Sequence, residues 1–362
     1  MQENILLTWL TIYTQMIKMS IVFLKKGGAM KFLENSPAAF FRLLEQQKET
    51  QLLLAGIRLD VFSLLDEPQT ASAAAALLHT DARNTEYFLK ALTAIGVITL
   101  SAGYFSNTTE TRLYLSRNSR LYLGEYFLLW EEKTRLACAE DLVRHGSGGH
   151  AAPHTFFDFH RLAELSAVEI GTGRLQSFLD ACASVLQPDA RVHLLDLGGG
   201  SGRMAIEFCR RYPNADGAVY EHPQVADVPR GQILSAGMAD RIEVLSGDFM
   251  REDFGTGYDL IIASGILDFA GDELEQLTQR VAAATHPGGY LYVVGHHIND
   301  EETAPKTSIL NWLSARLHGM SALIPRSRIC CALADAGFDP QGEARQEGAI
   351  AHLQGTWYRR RA

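Results

Sequence analysis

Three acidic residues in the middle of the chain each close a short apolar run: Asp196 in RVHLLDLGGGSG, Glu221 in GAVYEHP and Asp248 in RIEVLSGDFM. Asp196 stands directly before the glycines Gly198, Gly200 and Gly202, a G-x-G-x-G turn. Glycines there let a ligand lie against bare backbone, and an acidic residue beside them suits a ligand carrying an ammonium group. The spacing differs from the G-x-G-x-x-G that cradles a dinucleotide pyrophosphate. Glu221, about twenty residues further on, is placed to take the hydroxyls of a ribose. Asp248 can accept from an adenine amino group while Phe249 covers the ring. Amine, ribose and base together describe S-adenosylmethionine.

The elements that must hold these residues follow from the apolar pattern. Val192, Leu194, Leu195 and Leu197 form a run suited to a strand buried on both faces, and RMAIEFCRR resumes after the glycines with helical spacing. GAVYEHP, RIEVLSG and YDLIIASG read as further strands. The helix DELEQLTQRVAAATH follows, then a PGG turn and the strand YLYVVGHHI. After RSRICCALADAGF, a helix, two extended runs around FDPQGEAR and AIAHLQGTWYRR close the chain as an antiparallel hairpin. Strands alternating with helices predict an α/β, doubly wound Rossmann-like sheet over residues 190–362, with its ligand at the carboxyl ends of the strands.

At DLGGGSG, YEHP and SGDFM the chain resembles class I S-adenosylmethionine-dependent methyltransferases. More narrowly, it is similar to the small-molecule O-methyltransferases of the caffeate and hydroxyindole type and their bacterial branch, from about Lys31 to the C-terminus. The resemblance implies a winged-helix domain over 31–110 that forms a homodimer and closes over the partner's active site. It also implies a helical segment over 111–189 that helps to form the acceptor pocket. On the same ground His154, Phe156 and Phe157, with Trp312, Leu313 and Met320, are candidates to line that pocket. Ser264 stands where the family often has a cofactor-contacting lysine.

In the resembled enzymes a histidine in a pattern like L-H-D-W-x-D-E removes the acceptor proton. The matching segment here is ILDFAGDE, which puts Asp268 in that position. A carboxylate near pKa ~4 is a poor base for a phenol near ~10 unless its surroundings raise it. Asp268 is therefore a tuned base or a helix N-cap ahead of DELEQL; alternatively another residue serves, or the acceptor needs no strong base. His296 and His297 close the next strand at the same edge. Adjacent strand residues face opposite ways, so one of them can reach the acceptor, and His297 is the substitute base considered.

Composition narrows the remaining classes. The 362 residues, 47% hydrophobic and 21% charged, are enough for more than one core. A net charge of -9 with both signs dispersed argues against nucleic acid or an anionic membrane as partner. The helices TASAAAALLHT and ARNTEYFLKALTAIG and the hairpin GVITLSAGYFSNT spell a winged helix. Its second helix balances Arg83 and Lys90 with Asp81 and Glu86, unlike a DNA-recognition helix. Five cysteines without paired spacing point to a reducing cytoplasm. His145, His150, His154 and His160 lack the i, i+4 spacing of a helical metal site, and no metal is expected. The apolar extension over 1–30 reads as an extra helix on the dimer, as residues upstream of a natural start at Met30, or as a membrane anchor. Besides O-methylation of a small aromatic or heterocyclic metabolite, the alternatives are C-methylation of an electron-rich ring such as a tetrapyrrole, a relative that binds the cofactor without transferring methyl, and a cofactor-sensing regulator.

Overall fold

A computed structural model describes residues 36–147, 158–344 and 353–362. The extension over 1–30 and the acceptor candidates His154, Phe156 and Phe157 lie outside the described residues. The chain divides into two compact units between Leu53 and Leu54. The first includes the opening turns of the helix Ala38–Arg58.

In the second unit two early helices are started by a side chain that supplies a partner for an orphan N–H. Thr70 Oγ1 accepts from Ala73 N at 3.2 Å ahead of the helix Ala71–Leu78, and Asp81 Oδ1 accepts from Asn84 N at 2.8 Å ahead of Ala82–Ala94. Strands β1 (Ile98–Ser101) and β2 (Tyr104–Asn107) pair antiparallel. Ala102 and Gly103 between them have φ of 48° and 82°, the pair of positive values that matches a two-residue hairpin turn to strand twist. The helix, helix, hairpin order is the one that the sequence pattern predicts.

The sheet contains seven strands: β3 (His193–Leu197), β4 (Asp216–Glu221), β5 (Ile242–Ser246), β6 (Tyr258–Ser264), β7 (Thr285–Gly295), β8 (Phe338–Ala344) and β9 (Gln354–Arg360). Their order is β5-β4-β3-β6-β7-β9-β8. The first five run parallel, while β9 is antiparallel to both β7 and β8. This is the doubly wound α/β architecture expected. The Pro287–Gly288–Gly289 turn is taken into β7 instead of preceding it, with the β6–β7 register shifting between Tyr258 and Leu260.

Alternation along β3 divides the core. Leu195 and Leu197 face one side with Ile261 and Leu291, packed by Leu274 and Leu277 of the helix Leu274–Ala284 and by Leu333. Leu194 and Ile262 face the other with Tyr292, covered by Phe178 and Phe208. A strand apolar on both faces can sit only at the centre of such a layer, and the parallel run brings the carboxyl ends of β3 to β7 to one edge. Leu195 is fully buried at that centre. Leu195→Ala is expected to lower the unfolding free energy by about 2–5 kcal/mol in a denaturant titration; a loss below ~1 kcal/mol would contradict the central packing assigned to β3.

Candidate active site

The turn that follows β3 is open because its residues have no side chain to close it. Gly198 and Gly200 have φ of 63° and 56°, in the left-handed region that favours glycine. A Cβ on Gly198 would lie 2.3 Å from Ile266 Cδ1 and 3.5 Å from the Phe249 ring. At Gly198 protein side chains already approach the bare backbone, whereas beside Gly200 the nearest atom to an added Cβ is Ala163 Cβ at 3.9 Å, which leaves that backbone open to the cavity.

A cavity of about 910 Å³ lies at this edge of the sheet. Asp196, Gly198, Gly200, Glu221, Asp248, Phe249 and Ser264, the residues assigned to the cofactor from sequence, all line it. Asp196 is 1% exposed, and its Oδ2 is buried without a hydrogen-bond partner. Burial pushes its carboxyl up to about 7; the Ala205 backbone N–H pulls the other way, while the neighbouring Glu221 raises it further and Arg174 lowers it. Glu221 is held on both sides: Oε2 accepts from Gly200 N and Oε1 from His222 N, each at 2.8 Å. Burial raises its pKa, and those two N–H groups act in the opposite direction. Asp248 Oδ1 accepts from Met250 N at 3.0 Å, which fixes the turn carrying Phe249.

Two residues that the sequence reading did not single out join this set. Glu169 ends the helix Phe159–Ile170, Arg174 begins Arg174–Val185, and the short G-T-G break between the helices lets them form a buried ion pair. Arg174 Nη1 also donates to Ser264 Oγ at 3.3 Å. Arg174 Nε and Glu169 Oε1 are buried with no partner. A buried polar atom left unpaired is costly, so these and Asp196 Oδ2 mark places where a zwitterionic ligand can make up the deficit. The signal in sequence was EIGTGR, opposite charges flanking a glycine break.

The far part of the cavity is aromatic. Trp130 meets Trp312 edge-on with ring centroids 5.9 Å apart, and Phe269 lies 4.5 Å from Trp312. Met320 lines the same region and packs in one cluster with Trp312. His296 faces these rings, with centroids 5.9 Å from Phe269 and 5.8 Å from Trp312. Such a chamber suits a flat acceptor.

Residues 180–322 match the family model of the O-methyltransferase domain. Over those residues the chain is similar to O-methyltransferases. It is 27% identical over 273 residues to the 3-hydroxy-5-methyl-1-naphthoate 3-O-methyltransferase of Streptomyces sahachiroi, covering 72% of this chain and 78% of that protein. It is 25% identical over 305 residues to the tetracenomycin polyketide synthesis 8-O-methyl transferase of Streptomyces glaucescens, covering 80% and 87%. Its fold matches an O-methyltransferase family protein from Burkholderia thailandensis (TM-score 0.73, 22% identity, 91% and 99% covered). It also matches human N-acetylserotonin methyltransferase in complex with its cofactor (TM-score 0.71, 22% identity, 91% and 100% covered). That human structure holds S-adenosylmethionine. The glycine cradle and the unpaired buried atoms fit that group: a nucleoside at Glu221, Asp248 and Phe249, and an amino acid end at Asp196, Glu169 and Arg174.

Two catalytic assignments made from sequence, Asp268 and His297, are not among the residues that line the cavity. Asp268 lies in the 3-10 turn Leu267–Phe269, 1% exposed, and its carboxylate accepts from His296 N at 3.2 and 3.3 Å. It neither caps the helix Leu274–Ala284 nor reaches the acceptor chamber, to which this turn contributes Ile266 and Phe269. His297 is turned away by a φ of 50°, with its Nε2 3.5 Å from Thr356 Oγ1 on β9. Burial lowers its pKa, and Arg326 lowers it further. The neighbouring His296 lines the cavity instead, with Nδ1 3.1 Å from Ser308 Oγ on the helix Lys306–Leu317. No sequence signal distinguished these two histidines beyond alternation, which requires them to diverge.

Both raised carboxyls give pH-dependent tests. A cationic ligand end favours ionised Asp196, so cofactor affinity should rise as pH increases toward about 7 and then level off; Asp196→Asn should flatten that rise. A calorimetric affinity independent of pH between 5.5 and 7.5 would dismiss the contact. Burial pushes Asp268 up to about 7. Because its folded value lies above its unfolded one, the stability it confers is present below pH ~4 and is lost as pH rises through about 7. Asp268→Asn, which cannot ionise, should therefore gain stability relative to the parent between pH 4 and 8, by on the order of 2–4 kcal/mol across that range.

Proposed function

We propose that the protein transfers the sulfonium methyl of S-adenosylmethionine to a hydroxyl of a small aromatic or heterocyclic metabolite, with His296 as the group that takes the hydroxyl proton. The observation that carries this reading is that one cavity joins the acidic, glycine-cradled end to an aromatic chamber faced by His296. The naphthoate and tetracenomycin enzymes named above support an aromatic acceptor. When bound, the cofactor supplies a methyl group already activated on positive sulfur. The protein's work is to align an acceptor oxygen with it and relieve that oxygen of its proton.

The residues divide that work. Arg174 receives the cofactor carboxylate, with Asp196 and Glu169 taking the ammonium. Trp130, Phe269, Trp312 and Met320 hold the acceptor ring. His296 Nδ1 lies 3.1 Å from Ser308 Oγ, a contact that orients the ring, and histidine is the side chain whose proton exchange ordinarily falls near neutral pH. A histidine among the rings favours oxygen as the methylated atom, because carbon methylation of an electron-rich ring does not require such a base at the outset. Asp268 is a positioning residue that fixes the His296 backbone.

The domain reading goes with this function: a winged-helix dimerisation domain over 31–110, an acceptor-pocket segment over 111–189 and a cofactor-binding domain over 190–362, in a cytoplasmic homodimer. Its support is that Phe40, Phe41, Leu43 and Leu44 remain exposed in the single chain, an apolar face that a second copy would cover. Lys90 is paired with Glu86 at 2.6 Å, which argues against a phosphate-binding role for its helix. Among the described residues no helix is long and apolar enough to cross a membrane.

His296→Asn should lower kcat on a phenolic acceptor by roughly 10²–10⁴-fold while leaving the cofactor Kd within ~2-fold. Ser308→Ala should lower kcat by a smaller factor. Arg174→Met should instead raise the cofactor Kd about 10-fold or more. Transfer of labelled methyl is the readout; turnover by His296→Asn within ~3-fold of the parent would remove the proposed base.

A further inference from the structure

Resting on the methyl-transfer reading above, we propose that the acceptor is an aromatic carboxylic acid and that Lys133 binds its carboxylate. Tyr126, Trp130 and Lys133 on the helix Gly124–Thr134 are spaced four and three residues apart, so they share one face, and all three line the cavity. Tyr126 marks the cofactor end: burial pushes its hydroxyl well up, the Glu169 carboxylate adds to this and Arg174 opposes it. Trp130 stacks on Tyr126 with centroids 6.1 Å apart and meets Trp312 from its other direction, so the helix runs from the cofactor toward the acceptor chamber. Lys133 comes about 5 Å further, one helical turn beyond Trp130. That is the scale of a single substituted benzene ring.

The carboxylates lining the cavity are Asp196, Glu221 and Asp248 at the strand ends, with Asp158 and Glu169 on or capping the helix Phe159–Ile170. Asp158 accepts from Arg161 N, and Glu169 is ion-paired with Arg174. Of the lysines and arginines among the described residues that line the cavity, Arg174 is held in that ion pair, and Lys133 lies one turn beyond Trp130; the uncharged polar groups of Asn311 and Ser321 also line the wall. The Lys133 side chain is 24% exposed, and its ammonium is ion-paired at 3.3 Å with the adjacent Glu132, whose side chain is 63% exposed. An ion pair to so exposed a neighbour contributes little, so a carboxylate arriving from the chamber can take its place. An aromatic acid with its ring between Trp130 and Trp312 and its hydroxyl toward His296 would put a carboxylate at Lys133.

The test is equilibrium dialysis of the full chain saturated with S-adenosylhomocysteine against hydroxybenzoic and hydroxynaphthoic acids and their methyl esters, run alongside labelled-methyl transfer. The acid should bind at least ~10-fold more tightly than its ester, Lys133→Gln should bring that ratio to within ~2-fold, and Lys133→Arg should keep it. Equal binding of acid and ester by the parent, binding of neither, or a preference that survives Lys133→Gln would each overturn the proposal. Because dialysis needs no turnover, the two readings fail separately. Acid preference without methyl transfer defeats the methyltransferase reading, and methylation of phenols without acid preference defeats only the role of Lys133.

Discussion

The site depends on a buried carboxylate held by two backbone N–H groups. Glu221 ends β4, yet Oε2 accepts from Gly200 in the turn after β3 and Oε1 from His222. This clamp joins neighbouring strand ends across the place where a ligand must lie. It holds the glycine turn together with the Gly198 N–Tyr220 O and Gly202 N–Gly199 O bonds of 2.8 and 2.9 Å, and Glu221 lines the cavity wall. A charge withdrawn from water is tolerable there because each oxygen has an N–H donor.

The same logic of buried polar groups sets the electrostatics of the whole cavity. Asp196 Oδ2, Glu169 Oε1 and Arg174 Nε are desolvated without partners, a cost that the fold bears in readiness for a ligand with both an ammonium and a carboxylate. Elsewhere the wall is aromatic, with Trp130, Phe269 and Trp312, and Lys133 lines it too. One cavity thus presents an acidic, glycine-cradled part and an aromatic part. Asp268 and His296 show how the parts are linked: the Asp268 carboxylate binds the His296 N–H and so fixes where β7 ends and which way the imidazole leaves it.

The sequence by itself determined the parts that local pattern controls. The apolar run from Val192 to Leu197 could only be a central strand; the glycines after it could only be an open turn; and Asp196, Glu221 and Asp248, each at a strand end, were bound to meet at one edge once the strands ran parallel. Tertiary structure decided what depends on direction and on contacts distant in sequence. His296 and His297 are chemically equivalent as letters, and a positive φ at His297 sends one ring to β9 while the other faces the cavity. Asp268 was legible as an acid in the right segment, but its partner lies 28 residues away, and that hydrogen bond turns it from the acceptor. Arg174, Glu169 and Lys133 were hidden for the same reason: a charged residue on a helix is ordinarily a solvated one, and only the packing of other elements over that face makes it part of a site.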